Sequence, residues 1–322
     1  MTHEPNLRVA GWALVIWTLL LGLVLVSCKA ESPAPAHSSP PADTPTSGTG
    51  RIVAIGDLHG DLAALRRTFV LAGAIDADDQ WVGNTLTVVL TGDFLDRGDD
   101  DRAICDLLET LALRAREQGG RLVALNGNHE IMNVMGDMRY VTPAAFEAFA
   151  EFAPPIELIS PRQDTPAYAY GRLYAFSPGG PYAQKLAANG VVEVIDGTVF
   201  VHGALLPAVV EYGLERLNNE TRTWLRGEGE LPALLATEEG PIWSSMFSDE
   251  PVETSCAILQ TTLRSLGARR LVVGHRMPLG LVGIHSDCDK TIWQIDVGLS
   301  AFYKGPTEIL EIVDGRTQIL SL

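Results

Sequence analysis

The sequence predicts an α/β fold in which parallel strands alternate with helices. Three short apolar stretches rich in β-branched residues, at 51–57, 86–93 and 121–128, each end in glycine followed by Asp or Asn. Between them, residues 61–75 and 100–116 have the spacing of amphipathic helices. Alternating strand and helix patterns are typical of βαβ units with parallel pairing.

Two later apolar stretches end in a similar way. TVFVHG covers 198–203 and RRLVVGH covers 269–275, and each places a His beside a glycine at its end. In sheets of this kind the functional site collects at the carboxyl ends of the strands. We therefore expect five strand ends to converge on one site.

The remaining parts of the folded region have other patterns. Residues 141–197 mix helix and strand patterns and are rich in Pro, Tyr and Gly, as expected of a substrate-side insertion or cap. Residues 292–305 and 307–322 alternate as strands, the latter with an Asp-Gly turn.

The composition indicates a globular protein that does not bind nucleic acid. The 322 residues are 46% hydrophobic, and 24 Lys and Arg against 40 Asp and Glu give a net charge of -16. Binding to a phosphate backbone needs clustered cations.

The N-terminus predicts export and attachment to a membrane. An uncharged apolar run at 9–26 ends in Ser27-Cys28, and LVSC resembles a bacterial lipobox. The run approaches the length of a membrane span, so a retained anchor is an alternative. We predict a lipoprotein signal peptide at 1–27, lipidation of Cys28, a Pro/Ser/Thr-rich tether at 28–50 and a catalytic domain at 51–322. This domain would lie outside the cytoplasm, lipid-anchored in the cell envelope.

Three cysteines remain in the folded region. Cys105 lies within the helical pattern at 100–116 and is expected to be a buried thiol. Because an oxidising compartment favours pairing of the others, we hypothesise a Cys256–Cys288 disulfide.

The strand ends carry side chains that bind metals. The motifs GDLHG, GDFLDRG, GNHE, VHG and VGH supply oxygen and nitrogen donors and no thiolate, which suits manganese, iron or zinc. Six such residues suit two divalent metal ions rather than one structural site. They are Asp57, His59, Asp93, Asn128, His202 and His275.

Phosphate ester hydrolysis fits this set. Two adjacent metals can bind a phosphoryl group and activate a water. Arg97 offers a planar fork for phosphate, and Asp96 could accept a hydrogen bond from His129, which would then be the general acid. We expect Gly127 to let the backbone turn tightly enough for both of its neighbours to reach the site, and Glu130 to accept hydrogen bonds within the loop.

The ordered motifs resemble the phosphoprotein phosphatase family of calcineurin-like metallophosphatases. The resemblance implies a central β-sandwich flanked by helices. It also implies that Asp57 and His59 bind one metal, that Asn128, His202 and His275 bind the other, and that Asp93 bridges both. His129 would be the proton donor with Asp96 behind it.

Stretches outside the motifs, including GNHEIMNVMGDMRYV and CDKTIWQIDVGLS, resemble the Shewanella-like branch of this family. That likeness implies phosphoprotein substrates with a leaning towards phosphotyrosine. Many family members have a further phosphate-binding Arg, which residues 240–248 do not offer. Arg139 and Arg276 are candidates to replace it, with surface ion pairs as the alternative for each.

Two other functions are weighed against this one. The same fold could hydrolyse nucleotides or dinucleoside polyphosphates. A lipoprotein with a dead site that binds a partner is a third interpretation, but the sequence keeps Asp96, Arg97 and His129 beside the complete ligand set.

Overall fold

The computed structural model describes residues 50–154, 166–249, 252–277 and 282–322. The predicted signal peptide, the predicted lipidation site Cys28 and almost all of the predicted tether lie outside these ranges. Within them, no helix combines the length and apolar character needed to cross a membrane.

The described chain forms ten strands. They are β1 Ile52–Ile55, β2 Thr87–Leu90, β3 Arg121–Ala124, β4 Val192–Ile195, β5 Thr198–Val201, β6 Arg270–Val273, β7 His285–Asp287, β8 Ile292–Gln294, β9 Glu308–Val313 and β10 Arg316–Ser321.

The described helices fall mainly between the strands. They are α1 Leu62–Leu71, α2 Asp101–Glu117, α3 Asn128–Val134, α4 Pro143–Glu147, α5 Tyr170–Phe176, α6 Pro181–Leu186, α7 Pro207–Tyr212, α8 Leu214–Leu225, α9 Met246–Asp249 and α10 Val252–Leu266, with short 3-10 turns at Ala150–Phe152, Ala167–Ala169 and Ala233–Ala236.

The strands make two five-stranded sheets, in the orders β10-β9-β1-β2-β3 and β4-β5-β6-β8-β7. Strands β1, β2 and β3 are parallel, as are β5, β6 and β8. The five strands predicted from the Gly-ended stretches are confirmed. So is the hairpin of β9 and β10, whose strands pair antiparallel across the Asp-Gly turn.

The two sheets pack face to face, which confirms a β-sandwich. Ala54 and Val89 from the first sheet share an apolar cluster with Phe200 and Val272 from the second. Alternate residues of β1, such as Val53 and Ile55, point outward into the larger cluster formed with the helices. This alternation follows from the period of two along a strand. Full burial of a Val or Ile side chain stabilises the folded state by about 1.5–3 kcal/mol.

The predicted strand at 292–305 is only partly right. Only Ile292–Gln294 is a strand, and the following residues form a loop. Asp296 accepts a hydrogen bond from the backbone N–H of Gly298 at 3.0 Å, and Gly298 has φ +69°. An Asp that bonds two residues ahead, followed by a left-handed glycine, turns the chain out of the sheet.

Residues 141–154 and 166–197 belong to the body of the fold. They form α4, α5 and α6 and end in β4, which pairs antiparallel with β5. Phe149, Phe176 and Tyr182 from this region stack edge to face and lie in the larger apolar cluster.

The described cysteines are arranged as expected. Cys256 of α10 is joined to Cys288, which follows β7, by a disulfide. Cys105 is a free, buried thiol in α2, and burial raises its pKa well above the usual value.

Candidate metal centre

The predicted ligands come together where the parallel strands end. Asp57 follows β1, Asp93 follows β2, Asn128 opens α3 after β3, His202 follows β5 and His275 follows β6. The carboxyl ends of parallel strands in one sheet share an edge, and packing of the two sheets brings both edges to one place.

One group of donors surrounds the carboxylate of Asp93 and the side-chain oxygen of Asn128. Nε2 of His202 lies 3.2 Å from Oδ2 of Asp93 and 2.9 Å from Oδ1 of Asn128. Nδ1 of His275 lies 2.9 Å from the same Asn128 oxygen and 3.2 Å from Nε2 of His202. These four side chains can therefore offer donors to a single ion.

A second group contains His59 and shares Asp93. Candidate ligand atoms of His59, Asp93 and His129 all lie within 4.8 Å of one another. Nε2 of His59 lies 3.9 Å from Oδ2 of Asp57. Asp93 thus takes part in both groups, as a bridging ligand must.

Two of the buried histidines, His59 and His202, have one ring nitrogen hydrogen-bonded to the backbone. Nδ1 of His202 lies 3.0 Å from the carbonyl oxygen of Thr91, and Nδ1 of His59 lies 3.3 Å from that of Leu95. Donation from Nδ1 leaves the lone pair on Nε2, the tautomer that binds a metal.

The electrostatics also suit a cationic ligand. Burial, together with the charges of Asp296 and Asp93, raises the pKa of Asp57 well above its usual value. Burial lowers the pKa of His59 to about 3 and that of His275 to about 4. Several buried carboxylates beside neutral imidazoles form a donor set that fits divalent cations.

The backbone of the site is held in unusual conformations. His59, Asp93 and His275 have φ values of +45°, +49° and +71°, and Asp96 and Arg97 both have +68°. Left-handed conformations of such residues cost about 1–3 kcal/mol each and cluster at functional sites. The strand ends turn sharply here, which aims these side chains into the site.

Glu130 acts as expected, whereas Gly127 has extended backbone with φ -87° and is required by a close approach rather than by a tight turn. A Cβ on Gly127 would lie 2.2 Å from Oδ1 of Asp93, so the close approach of the two loops requires glycine. The carboxylate of Glu130 accepts hydrogen bonds from the backbone N–H groups of Asp93, Phe94, Leu95 and Gly127. Burial raises the pKa of Glu130 to about 8.

His129 and Asp96 are a buried pair beside the candidate metal ligands. Nδ1 of His129 lies 2.7 Å from Oδ2 of Asp96. Burial lowers the pKa of His129, but the charge of Asp93 and the hydrogen bond to Asp96 outweigh it, and the pKa is raised overall. This ring can hold a proton at the edge of the site.

Arg97 lies at the site, stacked on an aromatic ring. Its guanidinium is 4.4 Å from the ring centre of Tyr140 and 5.4 Å from that of Tyr303. Its buried Nε has no hydrogen-bond partner among the described residues. A guanidinium held by stacking keeps its N–H groups available for an anion.

The other two candidate phosphate-binding arginines, Arg139 and Arg276, make ion pairs at the surface. Arg139 lines the same cavity as Arg97, but its guanidinium lies 2.6 Å from Asp137 and its side chain is 66% exposed. Arg276 lies 3.4 Å from Asp249, and it is not among the described residues that line the cavity.

The site opens into a cavity of about 270 Å³. Besides the predicted residues, Met132, Asp137, Tyr140, Trp243 and Tyr303 line it, and none of the described residues of 141–197 does. Asp296 is also buried, and its charge contributes to the raised pKa of Asp57. The stretch CDKTIWQIDVGLS, which contains Asp296, resembles the family branch, but the sequence assigned Asp296 no role, and that resemblance does not extend to Tyr303.

A β-sandwich flanked by helices, with two groups of His, Asp and Asn donors that share Asp93 at the strand ends, is the arrangement expected of a metal-dependent phosphoesterase. Residues 50–278 match the family of calcineurin-like phosphoesterases. The chain belongs to that family, and it is a metal-dependent phosphatase.

Known relatives agree with this assignment. The chain is 37% identical over 294 residues to Shewanella-like protein phosphatase 2 of Arabidopsis thaliana, covering 81% of this chain and 75% of the relative. It is 28% identical over 264 residues to Shewanella-like protein phosphatase 1 of Plasmodium berghei, covering 79% and 68%.

The fold is shared with a solved structure. The cold-active protein-tyrosine phosphatase of a psychrophilic Shewanella species superposes with a TM-score of 0.66, at 24% identity, over 85% of this chain and 81% of that one.

Proposed function

We propose that the enzyme hydrolyses phosphate monoesters on phosphorylated proteins, with a preference for phosphotyrosine. The observation that supports hydrolysis best is the buried His129–Asp96 pair beside Asp93, which both ligand groups share. The relatives are named as protein phosphatases. The rings of Tyr140, Trp243 and Tyr303 line the cavity and could pack against an aryl leaving group.

The proposed metal ligands are those predicted from the sequence. Asp57 and His59 would hold one divalent cation, Asn128, His202 and His275 the other, and Asp93 both. When bound, two cations of manganese, iron or zinc would neutralise the phosphoryl oxygens and supply an activated water.

The residues around the ligands have separate tasks in this proposal. Arg97 would bind the phosphate through the N–H groups that its stacking on Tyr140 keeps available. His129, protonated and held by Asp96, would give its proton to the leaving oxygen. Arg139 also lines the cavity, but its guanidinium is paired with Asp137 and it has no task in this proposal.

A substrate panel with metal analysis tests this function. The purified catalytic domain would be assayed with a phosphotyrosine peptide, a phosphoserine peptide, ATP and a dinucleoside polyphosphate in the presence of manganese. We expect the highest kcat/KM for the phosphotyrosine peptide and loss of turnover in Asp93→Asn. Faster hydrolysis of the nucleotides would replace the proposed substrate with a nucleotide, and absence of all turnover would refute the function.

We further propose that the protein is exported and lipid-anchored through Cys28 in the cell envelope. The support is the lipobox-like LVSC at 25–28 and the disulfide between Cys256 and Cys288, which an oxidising compartment would maintain. Expression of the full chain and of Cys28→Ala in a bacterium, followed by fractionation and labelling with a fatty acid, checks this. Equal membrane retention without label in both forms would indicate a transmembrane anchor instead.

A further inference from the structure

Arg172 is a fully buried arginine that has no task in the mechanism proposed above. It lies in α5, has no exposed surface, and is enclosed by the rings of Phe149 and Phe176 at 5.1 and 4.9 Å. A buried arginine needs partners for its charge and its N–H groups. The residues that bind the guanidinium of Arg172 therefore indicate what this side chain does.

The guanidinium bonds to four groups, which lie in three helices and one loop. Its Nε donates to Oδ1 of Asn133 at 2.9 Å, and one terminal nitrogen donates to the carbonyl oxygen of Ala145 at 3.2 Å. The other terminal nitrogen lies 3.3 Å from Oδ1 of Asp96 and 2.5 Å from Oδ2 of Asp101. Arg172 therefore joins α2, α3 and α4 to the loop that carries Asp96.

These contacts hold Asp96 by its side chain and by its backbone. Oδ1 of Asp96 accepts from Arg172 and also from Nδ2 of Asn133 at 2.9 Å. The backbone N–H of Asp96 donates to Oδ1 of Asp101 at 3.0 Å, and Asp101 is itself bound by Arg172. Oδ2 of Asp96 is thereby left facing Nδ1 of His129.

A purely structural role does not account for this arrangement well. Buried ion pairs often add little stability compared with apolar side chains of similar volume. Asp96 also has φ +68°, a conformation that persists only when its surroundings hold it in place. The planar fork of arginine reaches several acceptors in fixed directions, whereas an ammonium group cannot.

We propose that Arg172 is a positioning residue that fixes Asp96 and, through Asp96, the ring of His129 in the orientation for proton donation. The inference rests on the proposed role of His129 and adds a residue outside the cavity to it. Asn133 hydrogen-bonds to both Arg172 and Asp96 and would help to hold Asp96 in the same way.

A leaving-group series separates positioning from mere stabilisation. A poor leaving group such as phenolate needs a proton from the general acid, whereas 2,4-dinitrophenolate does not. General acids contribute about 100- to 10,000-fold, so partial misplacement in Arg172→Lys should lower kcat for phenyl phosphate about 10- to 100-fold. We expect kcat for 2,4-dinitrophenyl phosphate to fall less than about threefold, since that reaction needs little acid catalysis.

Asn133→Ala serves as a second variant in case Arg172→Lys does not fold, and it should show the same selective loss. Phe69→Leu is the matched control, because it lowers stability from the apolar core of α1 without touching the network. Rates are compared at equal metal content and below each variant's melting temperature. In the control, both substrates should respond equally.

The outcomes distinguish this inference from the proposed function. If the wild-type protein hydrolyses neither aryl phosphate, the proposed function fails. If Asp96→Asn loses phenyl phosphate turnover selectively but Arg172→Lys and Asn133→Ala reduce both substrates equally, the positioning role of Arg172 is overturned and the function stands.

Discussion

Nδ1 of His129 lies 2.7 Å from Oδ2 of Asp96, and both side chains are buried. Because the carboxylate accepts this bond, Nδ1 carries the proton and Nε2 is the ring atom available on the other side. Nε2 lies 3.8 Å from Oδ2 of Asp93, so it faces the shared ligand. The pair thus directs one particular nitrogen of His129 towards the carboxylate of Asp93.

Asp96→Asn should move the alkaline limb of the pH–rate profile to lower pH. Burial lowers the pKa of His129, and the carboxylates of Asp93 and Asp96 raise it. Without the charge of Asp96 the pKa falls, so the protonated acid is lost at a lower pH. We expect a shift of about one pH unit in kcat/KM for phenyl phosphate, the size of a close charge effect.

Asp78→Asn is the control for this measurement, because Asp78 lies on the exposed turn before β2 and should leave the profile unchanged. An unmoved alkaline limb in Asp96→Asn, with the rate reduced at every pH, would show that His129 is not the titrating acid.

Removal of metal should lower stability as well as activity. Asp57, Asp93 and Asp296 are buried, and their mutual repulsion is relieved by cations. A ligand that binds only the folded state at 100 times its Kd stabilises it by about 2.7 kcal/mol. A chelated sample should therefore melt earlier and regain its melting temperature when manganese is added.

Asp93→Asn should lose this response, because it weakens the ligand that both groups share. Asp314→Asn is a matched control on the turn between β9 and β10, at the opposite edge of the sheet. Calorimetry and metal analysis by mass spectrometry give the two readouts. A melting temperature that rises equally with manganese in Asp93→Asn and in the wild type would place the binding site elsewhere.

The sequence predicted the parts of the site that depend on strand ends. An apolar run followed by Gly-Asp or Gly-His fixes both where a strand stops and which side chain follows it, and parallel pairing then brings those ends together. The sites of Asp57, Asp93 and His275 followed from that rule. Glu130 was also foreseen as an acceptor within its loop, and four backbone N–H groups bond to it.

Contacts between distant segments could not be read in the same way. Arg172 lies in a stretch of mixed patterns, and nothing local indicates that it would reach Asp96, 76 positions away in sequence. Tyr303 and Asp296 were hidden because alternation at 292–305 suggested a strand, whereas hydrogen bonding by the Asp296 side chain and the left-handed Gly298 form a loop. At 292–305 the alternating pattern therefore predicted a longer strand than the side-chain hydrogen bond of Asp296 allows.

Arg97→Ala should raise KM for aryl phosphates far more than Arg139→Ala. Charge-assisted hydrogen bonds contribute about 1.5–3 kcal/mol, so loss of the Arg97 fork should raise KM and the Ki for inorganic phosphate about 10- to 100-fold. Arg139 is exposed and paired with Asp137, and its removal should change KM less than about threefold. A larger effect for Arg139→Ala would make Arg139 the second phosphate-binding arginine.

The Cys256–Cys288 disulfide should contribute a large part of the stability of the second sheet. It closes a segment between residues 32 positions apart, which joins α10 to the end of β7. Loss of loop entropy in the unfolded chain for a loop of this length corresponds to about 3–4 kcal/mol.

We expect the double variant Cys256→Ala/Cys288→Ala to unfold at lower urea concentration than the oxidised wild type. The wild type should lose the same increment under reducing conditions, while the variant, in which Cys105 is the remaining cysteine among the described residues, should not respond to reductant. Equal unfolding midpoints for the wild type with and without reductant would show that the bond does not stabilise the folded domain.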